Sequence, residues 1–412
     1  MSVRKRTWKT PNGTKGQAWI VDYADHLGKR RQRSFDTKGE ADAYHISVSG
    51  ELRAGTHVPD SQSITVAEAG QRWLAKCETD GLEQSTIDGY TQHVDRHIVP
   101  MIGSVKLSRL TVPMIGTFED DLLKADRSRI MVRKVRISLG ALLANAQREG
   151  LVGHNVVYER GRQSKGKSRE THVADRQDTR LQVGVDIPSL DEIRAIHAAL
   201  DRVGTNEQKA AILTAALVGL RVSEKRGLPW SAVHLKDGQS SVEIRQRADR
   251  YNKIGPPKTK QSRRTVSLPP VVVSALRKWK LACPHSELRF VFPDSGGGIQ
   301  SYVNFTRHNL VPIMRAAGLM VPGVKKDGAP MLDQNGRPVL VPKYGWHSLR
   351  HFFASWCLNR KENGGLGLLP KEVQERMGHA SITITMDTYG HLFKPKDDST
   401  ELAAAEKALF GS

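Results

Sequence analysis

Six side chains in the C-terminal half of the 412-residue sequence carry groups that together could perform phosphoryl transfer. Guanidinium groups can clamp the equatorial oxygens of a phosphate, a general acid can protonate the leaving oxygen, and a hydroxyl group can attack in line. A tyrosine hydroxyl, with an ordinary pKa of about 10, is a poor nucleophile until its proton has an acceptor. The six candidates are Arg221, Lys258, His347, Arg350, His379 and Tyr389.

Arg221 and Lys258 also have ordinary structural explanations when each is considered alone. Arg221 follows the apolar stretch 209–220, and Glu224 lies three residues later on the same helical face, so a buried ion pair would explain both. Lys258 lies in a predicted loop, where lysines are usually only solvated. Neither residue alone establishes a reactive site.

His347 and His351 have the i, i+4 spacing of a zinc-binding pair. The HExxH motif requires glutamate at the position after the first histidine, and Ser348 stands there. The sequence therefore predicts no metal site.

The segment GHASITITMDTYGHLF (378–393) leaves two explanations open for Tyr389. The tyrosine is either a packed aromatic on a short helix or a nucleophile near a histidine. Gly378 allows a close turn before His379, which stands ten residues before Tyr389. Only the combination with the other candidates favours the nucleophile.

Five short motifs occur in a fixed order along the chain. They are GLRVSE (219–224), PKTKQSRR (257–264), HSLRH (347–351), GHAS (378–381) and DTYGH (387–391). No single motif is specific, but their order and spacing resemble the tyrosine recombinase (phage integrase) family. The resemblance covers essentially the whole predicted C-terminal domain.

The resemblance implies a role for each phosphate-binding group. Arg221 and Arg350 would bind the scissile phosphate of DNA, and His379 would donate a hydrogen bond to one of its oxygens. Glu224 would support the site without reacting.

The resemblance also implies a nucleophile and its proton partners. Tyr389 would attack and form a 3′-phosphotyrosyl bond, and Lys258 would protonate the departing 5′ oxygen. His347 would act as acid and base on the tyrosine side, whereas His351 would be structural. The implied reaction uses no metal, ATP or other cofactor. Its implied partners are double-stranded DNA at attachment sites, three further copies in a homo-tetramer, and accessory DNA-bending or directionality proteins.

Composition agrees with a nucleic-acid partner. Lys and Arg outnumber Asp and Glu by 63 to 43, which gives a formal charge of +20. No apolar run approaches the roughly 18 residues that span a bilayer, and the N-terminus lacks the apolar region of a secretory signal. The three cysteines lie far apart, which favours a reducing, cytoplasmic setting. We therefore expect a cytoplasmic, nucleoid-associated protein.

Turns, capping boxes and apolar periodicity predict a multidomain fold. The predicted turns include 11–16 and 25–30, and two of the predicted capping boxes pair Thr65 with Glu68 and Ser189 with Glu192. Residues 1–58 are expected to form a small α+β domain, a three-stranded sheet plus a helix. The resemblance implies that this domain binds arm-type DNA. Residues 64–158 are expected to form an all-α domain, followed by a basic linker at 159–185, and the resemblance implies that the helical domain binds core-type DNA. Residues 186–412 are expected to form a mixed α+β, mainly helical catalytic domain.

Basic residues crowd the first and third predicted strands and one face of the helical domain. A solvated surface would explain them, but strands can also lie in a DNA groove. The candidate DNA-binding residues are Arg4, Lys5, Arg6, Lys29, Arg30, Arg31, Arg33, Arg133 and Lys134.

Two features depart from the family pattern. Residues 225–227 (Lys-Arg-Gly) follow Glu224 where the family usually has apolar helix residues, and residues 321–343 are typical of an inserted hairpin with a turn at 335–336. A predicted helix at 400–410 could dock on a neighbouring protomer or fold back on its own chain.

The leading hypothesis is a site-specific integrase of a phage or mobile element. One alternative keeps the chemistry but relaxes single duplexes, as type IB topoisomerases do; a separate arm-like domain argues against it. The other alternative is a catalytically inactive DNA-binding regulator, and the complete set of six residues argues against that.

Overall fold

The computed structural model describes two compact units, Met1–Ala174 and Asp175–Ser412. The described residues are 1–9, 15–25, 28–53, 55, 57–163, 180–325, 328–392 and 399–411. Most of the predicted basic linker and parts of the turns at 11–16 and 25–30 lie outside them. The predicted fold class is confirmed, and the four domain boundaries stay predictions.

An antiparallel sheet with one helix on it opens the first unit. Its strands, in the order β1-β2-β3, are Ser2–Lys9, Lys15–Ala24 and Arg30–Phe35, and the helix α1 is Lys38–Arg53. Successive strand residues face opposite sides. Val21 and Tyr23 accordingly face the helix and pack with its Ala41 and Val48.

The rest of the first unit is helical. Its helices are α2 (Val66–Thr79), α3 (Gln84–His93), a π-helical turn (Val94–Ile98), α4 (Val99–Ile102), a 3₁₀ turn (Leu107–Arg109), α5 (Val112–Lys124), α6 (Arg129–Arg148) and α7 (Val156–Gln163). The predicted capping box of Thr65 and Glu68 is present at the start of α2. Apolar residues spaced along α6, including Val135, Leu139 and Leu142, form the centre of the core.

The second unit surrounds a buried helix with further helices and small sheets. Its helices are α8 (Leu190–Val203), α9 (Asn206–Val218), α10 (Val222–Arg226), α11 (Pro270–Ala282), α12 (Tyr302–Phe305), α13 (Val311–Ala316), α14 (Trp346–Leu358), α15 (Pro370–Met377), α16 (Ile382–Tyr389) and α17 (Ser399–Phe410). A π-helical turn (Thr306–Leu310) joins α12 to α13, and 3₁₀ turns are Trp230–Ala232, Lys260–Ser262, Lys361–Asn363 and Gly390–Leu392.

The strands of this unit are short and antiparallel. They are β4 (Val233–His234), β5 (Ser241–Ile244), β6 (Arg247–Ala248), β7 (Ile254–Gly255), β8 (Arg264–Ser267), β9 (Met320–Pro322) and β10 (Leu340–Pro342). Their sheets have the orders β4-β5-β8, β6-β7 and β9-β10. The last pair lies at the base of the hairpin that the sequence predicted as an insertion.

The apolar helix α9 ends at a glycine that the packing requires. Gly219 has φ +70, and a Cβ added there would lie 2.3 Å from Cδ1 of Phe353. A larger residue would therefore suffer both backbone strain and a clash. Arg221 follows two residues after this glycine and lies in the site described below.

Cys77, Cys283 and Cys357 are free thiols. Within the described ranges, no helix has the length and hydrophobicity needed to cross a membrane.

Candidate active site

Arg221 stands at the N-cap of the one-turn helix α10 and is fixed there by Glu224. Its backbone N–H donates to Glu224 Oε2 at 2.9 Å, and its Nη1 donates to Oε1 at 2.8 Å. The Arg221 side chain keeps 31% of its surface exposed. The pair that the i, i+3 spacing predicted is therefore present, and it leaves Arg221 accessible.

Glu224 also binds a second arginine, Arg264, which the sequence analysis did not predict. Arg264, at the start of β8, donates to the Glu224 carboxylate from Nη1 at 3.0 Å and from Nη2 at 2.9 Å. Burial disfavours the ionised carboxyl, but Arg264, Arg350 and Arg221 more than offset this, and the pKa of Glu224 falls to about 2. Glu224 is thus a buried anion that binds two arginines. Residues two apart on a strand face the same side, so the apolar Val266 on β8 could have indicated that Arg264 also faces inward.

Arg350 lies on α14 and is 2% exposed. Its Nη1 donates to the carbonyl oxygen of Gly219, and its Nη2 donates to that of Met377. Both carbonyls lie at helix C-termini, whose free oxygens attract cations. Burial and the neighbouring Arg221 lower the pKa of Arg350 from its ordinary value, but the group stays a cation at neutral pH.

Gly378 and His379 follow directly after α15. Gly378 has φ +63, a left-handed conformation that favours glycine, and a Cβ there would lie 2.9 Å from Nη1 of Arg264. Its carbonyl oxygen accepts a hydrogen bond from Arg221 Nη2 at 3.2 Å. The His379 ring bonds through Nδ1 to Thr385 Oγ1 at 2.9 Å. The GHAS motif therefore ties His379 to Arg221 through one peptide unit.

Tyr389 is the last residue of α16 and is 1% exposed. Its ring is parallel to that of His379, with the centroids 6.3 Å apart and an interplanar angle of 7°. Its hydroxyl is 2.7 Å from Nδ1 of His351. Burial raises the pKa of Tyr389 to about 12, although Arg350 and Arg221 oppose that rise. In this resting arrangement the tyrosine is a packed aromatic whose hydroxyl faces a histidine.

The histidine at the tyrosine oxygen differs from the one that the resemblance implied. His347 is exposed, and its ring packs edge-on against His351 with the centroids 4.4 Å apart. His351, which was expected to be structural, makes the hydrogen bond to Tyr389. The two histidines are one turn apart on α14, so spacing alone could not decide which one reaches the tyrosine.

Lys258 lies in an exposed loop between β7 and the 3₁₀ turn Lys260–Ser262. Within the described part of the chain, its ammonium group makes no hydrogen bond with the other five candidates. The described residues also contain no cluster of three or more His, Cys, Asp or Glu that could hold a metal ion.

We expect His351 and His379 to be neutral in the free protein at about pH 6, below the ordinary histidine pKa. Burial, with His347 and Arg350 nearby, lowers the pKa of His351 to about 4. Burial and the surrounding arginines lower that of His379 to about 3. Because folding favours the neutral rings, their contribution to stability is lost as the pH falls from about 6.5 towards these values. Imidazole ¹⁵N shifts measure this directly, and either ring titrating at its ordinary pKa would contradict it.

The basic residues of the N-terminal sheet divide between its two faces. In the strand register, Arg4 pairs with Ile20, Arg6 with Ala18 and Arg30 with Ala24. These pairs lie on the sheet face that α1 does not cover. All three arginines are exposed, and Arg4 forms an ion pair with Asp22 at 2.7 Å.

Arg31 and Arg33 instead lie on the helix side of the sheet. Arg31 Nε donates to the buried Asp25 carboxylate at 2.9 Å, and Arg33 stacks 4.7 Å from the ring centre of Tyr44. Lys5 alternates to the same side but remains exposed. These contacts give Arg31 and Arg33 a structural role. The remaining candidates, Lys29 before β3 and Arg133 and Lys134 on α6, are exposed.

Residues 189–395 match the model of the phage integrase family. A XerC-like tyrosine recombinase from Caldanaerobacter subterraneus subsp. tengcongensis is 24% identical over 391 residues, which are 92% of each chain. An integrase from Streptomyces ambofaciens is 27% identical over 398 residues, which are 92% of this chain and 91% of the relative.

The fold is similar to that of the Tn1549 transposon integrase, solved in complex with transposon right-end DNA. The TM-score is 0.60 with 17% identity, and the match covers 84% of this chain and 100% of that one. At this identity the likeness shows a shared fold. The family match spans half of the chain and includes all six candidate residues. The chain therefore belongs to the phage integrase family of tyrosine recombinases.

Proposed function

We propose that this protein is a site-specific DNA recombinase that integrates or excises a phage or other mobile element through a 3′-phosphotyrosyl intermediate. Residues 377–379 supply the main support. Their carbonyl oxygens accept hydrogen bonds from Arg221 and Arg350. The ring at the end of this segment, His379, stacks on Tyr389. One short segment thus gathers two cations, an imidazole and a tyrosine.

In the proposed first step, Tyr389 Oη attacks the scissile phosphorus and the bond to the 5′ oxygen breaks. The departing oxygen takes a proton from Lys258. The tyrosine proton passes to His351, which is nearest to the hydroxyl and is neutral at physiological pH. His347 borders the same proton path. In the reverse step a 5′ hydroxyl attacks the phosphotyrosine, so bond energy is conserved and ATP is not needed.

The two arginines would stabilise charge on the phosphate during this step. The Arg221 side chain stays partly accessible, and Arg350 is buried and held by two carbonyl oxygens. Arg221 is thus a preorganised donor that requires no rearrangement at the moment of reaction, whereas Arg350 meets the phosphate only once Tyr389 has left its buried position. Glu224 keeps Arg221 in place, and His379 would donate to another phosphate oxygen.

The buried state of Tyr389 implies that the free protein is inactive. With 1% of its surface exposed, the tyrosine must leave its pocket before its hydroxyl can meet a phosphate. We propose that assembly on DNA moves α16 and exposes the hydroxyl of Tyr389, while His351 stays within reach of its proton. Coupling cleavage to assembly would prevent unproductive breaks in single duplexes.

The proposed partners are double-stranded DNA at attachment sites, three further copies of this chain and accessory DNA-bending or directionality proteins. The C-terminal helix α17 exposes Leu402, Leu409 and Phe410 by 66%, 76% and 73%. These apolar side chains favour docking on a neighbouring protomer in the tetramer. Association with DNA would place the protein in the nucleoid.

The open face of the N-terminal sheet, which is the face that α1 does not cover, should contact arm-type DNA. We expect the double variant Arg4→Ala/Arg6→Ala to weaken arm binding and to reduce the salt slope of log K by about 2, one for each lost phosphate contact. Arg31→Ala should instead destabilise the domain, because it removes a partner of the buried Asp25. Binding titrations between low and physiological salt test the first variant, and thermal unfolding tests the second. A binding affinity that does not depend on salt would contradict the nucleic-acid assignment.

Covalent trapping tests the function as a whole. DNA fragments from beside the gene, nicked so that the cleaved end diffuses away, are incubated with the protein in EDTA. We expect an SDS-stable protein–DNA adduct, and sequencing its DNA locates the scissile phosphate. Tight, salt-sensitive binding to the same fragments without an adduct would favour the binding-only regulator. A strict requirement for Mg²⁺ would contradict the metal-free mechanism.

A further inference from the structure

Arg226, one of the residues that depart from the family pattern, is a buried cation with three acceptors. It is 2% exposed at the C-terminal end of α10. Its Nε donates to the carbonyl oxygen of Gln300 at 2.6 Å, and its Nη1 donates to that of Asp249 at 3.0 Å. Its Nη2 donates to Oδ1 of Asn252. Two of these three bonds hold the turn of the β6-β7 hairpin.

The hairpin turn is built to receive this guanidinium. Asp249 Oδ1 accepts hydrogen bonds from the backbone N–H groups of Tyr251 and Lys253 at 2.8 and 2.9 Å, which closes the turn. Asn252 has φ +60, a left-handed conformation that asparagine tolerates. Gly227 allows α10 to approach the hairpin, because a Cβ there would lie 2.6 Å from the backbone nitrogen of Ala248.

The loop that follows this hairpin carries Lys258 and ends at Arg264. Helix α10 holds this end of the loop as well. Glu224, on α10, binds Arg264 through two hydrogen bonds. Arg264 also donates from Nε to the carbonyl oxygen of Arg376 at 2.7 Å. The contacts of Arg226 with the hairpin turn and of Glu224 with Arg264 are the two anchors of this loop. Between them, prolines at 256 and 257 restrict the backbone immediately before Lys258. Lys258 stands midway, six residues after Asn252 and six before Arg264.

We propose that Arg226 is a positioning residue for Lys258. By fixing the turn Asp249–Lys253, it holds one end of the loop that carries the general acid, while the Glu224–Arg264 pair holds the other end. Arg226 and Glu224 both lie on α10, whose N-cap is Arg221. They therefore fix the position of the general acid relative to a phosphate-binding arginine. This inference rests on the proposed function, in which Lys258 protonates the 5′ oxygen.

A sulfur substitution in the DNA separates positioning of Lys258 from general structural damage. Two versions of the nicked DNA substrate are compared. One has the ordinary scissile phosphate, and the other has sulfur in place of the bridging 5′ oxygen. A thiolate leaves without protonation because its conjugate acid is far stronger than an alcohol. Cleavage of the sulfur substrate therefore no longer needs the general acid.

Asn252→Gly is the main variant, because glycine adopts φ +60 freely and only the side-chain acceptor of Arg226 is lost. We expect single-turnover cleavage of ordinary DNA to fall roughly 10- to 100-fold, and the rate on sulfur-substituted DNA to match that of the wild type. DNA affinity should not change. Tyr251→Phe, in the same turn but without a bond to Arg226, is the matched control and should cleave both substrates normally.

Equal losses on both substrates would overturn the proposal and assign Arg226 a purely structural role. Unchanged cleavage of ordinary DNA would overturn it as well. Lys258→Ala, measured in parallel, should lose about 10²- to 10⁴-fold on ordinary DNA and recover on the sulfur substrate. If Lys258→Ala does not recover, the assigned role of Lys258 has failed, and this result is distinguishable from failure of the Arg226 anchor alone.

Discussion

Replacement of Tyr389 by phenylalanine should abolish formation of the covalent DNA adduct, a loss of at least about 10³-fold, as for other removed nucleophiles. The variant removes only the hydroxyl group. The ring is 1% exposed and stacked on His379, and phenylalanine fills the same space. DNA affinity should therefore match that of the wild type. Adducts on nicked duplexes and binding by fluorescence anisotropy measure the two quantities.

Tyr344→Phe provides the matched control for this experiment. Tyr344 is also fully buried in the second unit, and its hydroxyl donates to Glu192 Oε2 at 2.7 Å. Removing this hydroxyl costs a hydrogen bond but no nucleophile, so the adduct should persist. An adduct formed by Tyr389→Phe would place the nucleophile elsewhere. Loss of both adduct and binding would show that the substitution damages the fold.

Replacement of Glu224 by alanine should destabilise the protein by about 3–5 kcal/mol, the usual effect of breaking a buried ion pair by removing one partner. The carboxylate is 2% exposed and accepts hydrogen bonds from Arg221 and Arg264. Without it, two arginines and the nearby Arg350 remain close together with no anion among them. The midpoint of chemical denaturation, followed for the second unit, measures the loss.

The same group makes stability depend on pH in a defined direction. The pKa of Glu224 is about 2 in the folded protein, below its ordinary value of 4.5. A lowered pKa stabilises the fold above the ordinary value, and this contribution of about 3 kcal/mol is lost as the pH falls from about 4.5 towards 2. In Glu224→Gln the loss of stability over that interval should be correspondingly smaller.

Glu375→Gln is the matched control for the Glu224 variants. Glu375 is an exposed carboxylate on α15, paired with Lys371 at 3.2 Å. Exposed pairs of this kind contribute at most about 1 kcal/mol, so stability should hardly change. Similar effects of the two glutamine variants would contradict the central role of Glu224. Cleavage should also fall in Glu224→Gln, because Arg221 loses the partner that orients it.

Contacts between residues close in sequence could be predicted well. The capping boxes of Thr65 with Glu68 and of Ser189 with Glu192 are present, because each depends on one helical turn. The Arg221–Glu224 pair follows from the same i, i+3 geometry. Short-range geometry is nearly the same wherever a helix occurs, so it can be read without the fold.

Contacts between distant residues could not be predicted in this way. His351 meets Tyr389 across 38 positions, and Arg264 meets Glu224 across 40. Two histidines one turn apart on α14 offered equal candidates, and only the packing of α16 against that helix selected His351. The basic strand residues were likewise grouped together, although alternation placed Arg4 on the open face and ion pairing gave Arg31 a structural role.

The sequence by itself determined which chemical groups this protein has, their order along the chain and the local elements that carry them. Only the tertiary structure decided that Tyr389 is buried, that His351 is neutral beside it and that Glu224 is an anion beneath two arginines. The physical reason is that local structure depends on dihedral preferences and nearby hydrogen bonds, which neighbours in sequence supply. Protonation and accessibility depend on desolvation and on charges from remote segments, which come together only when the chain folds.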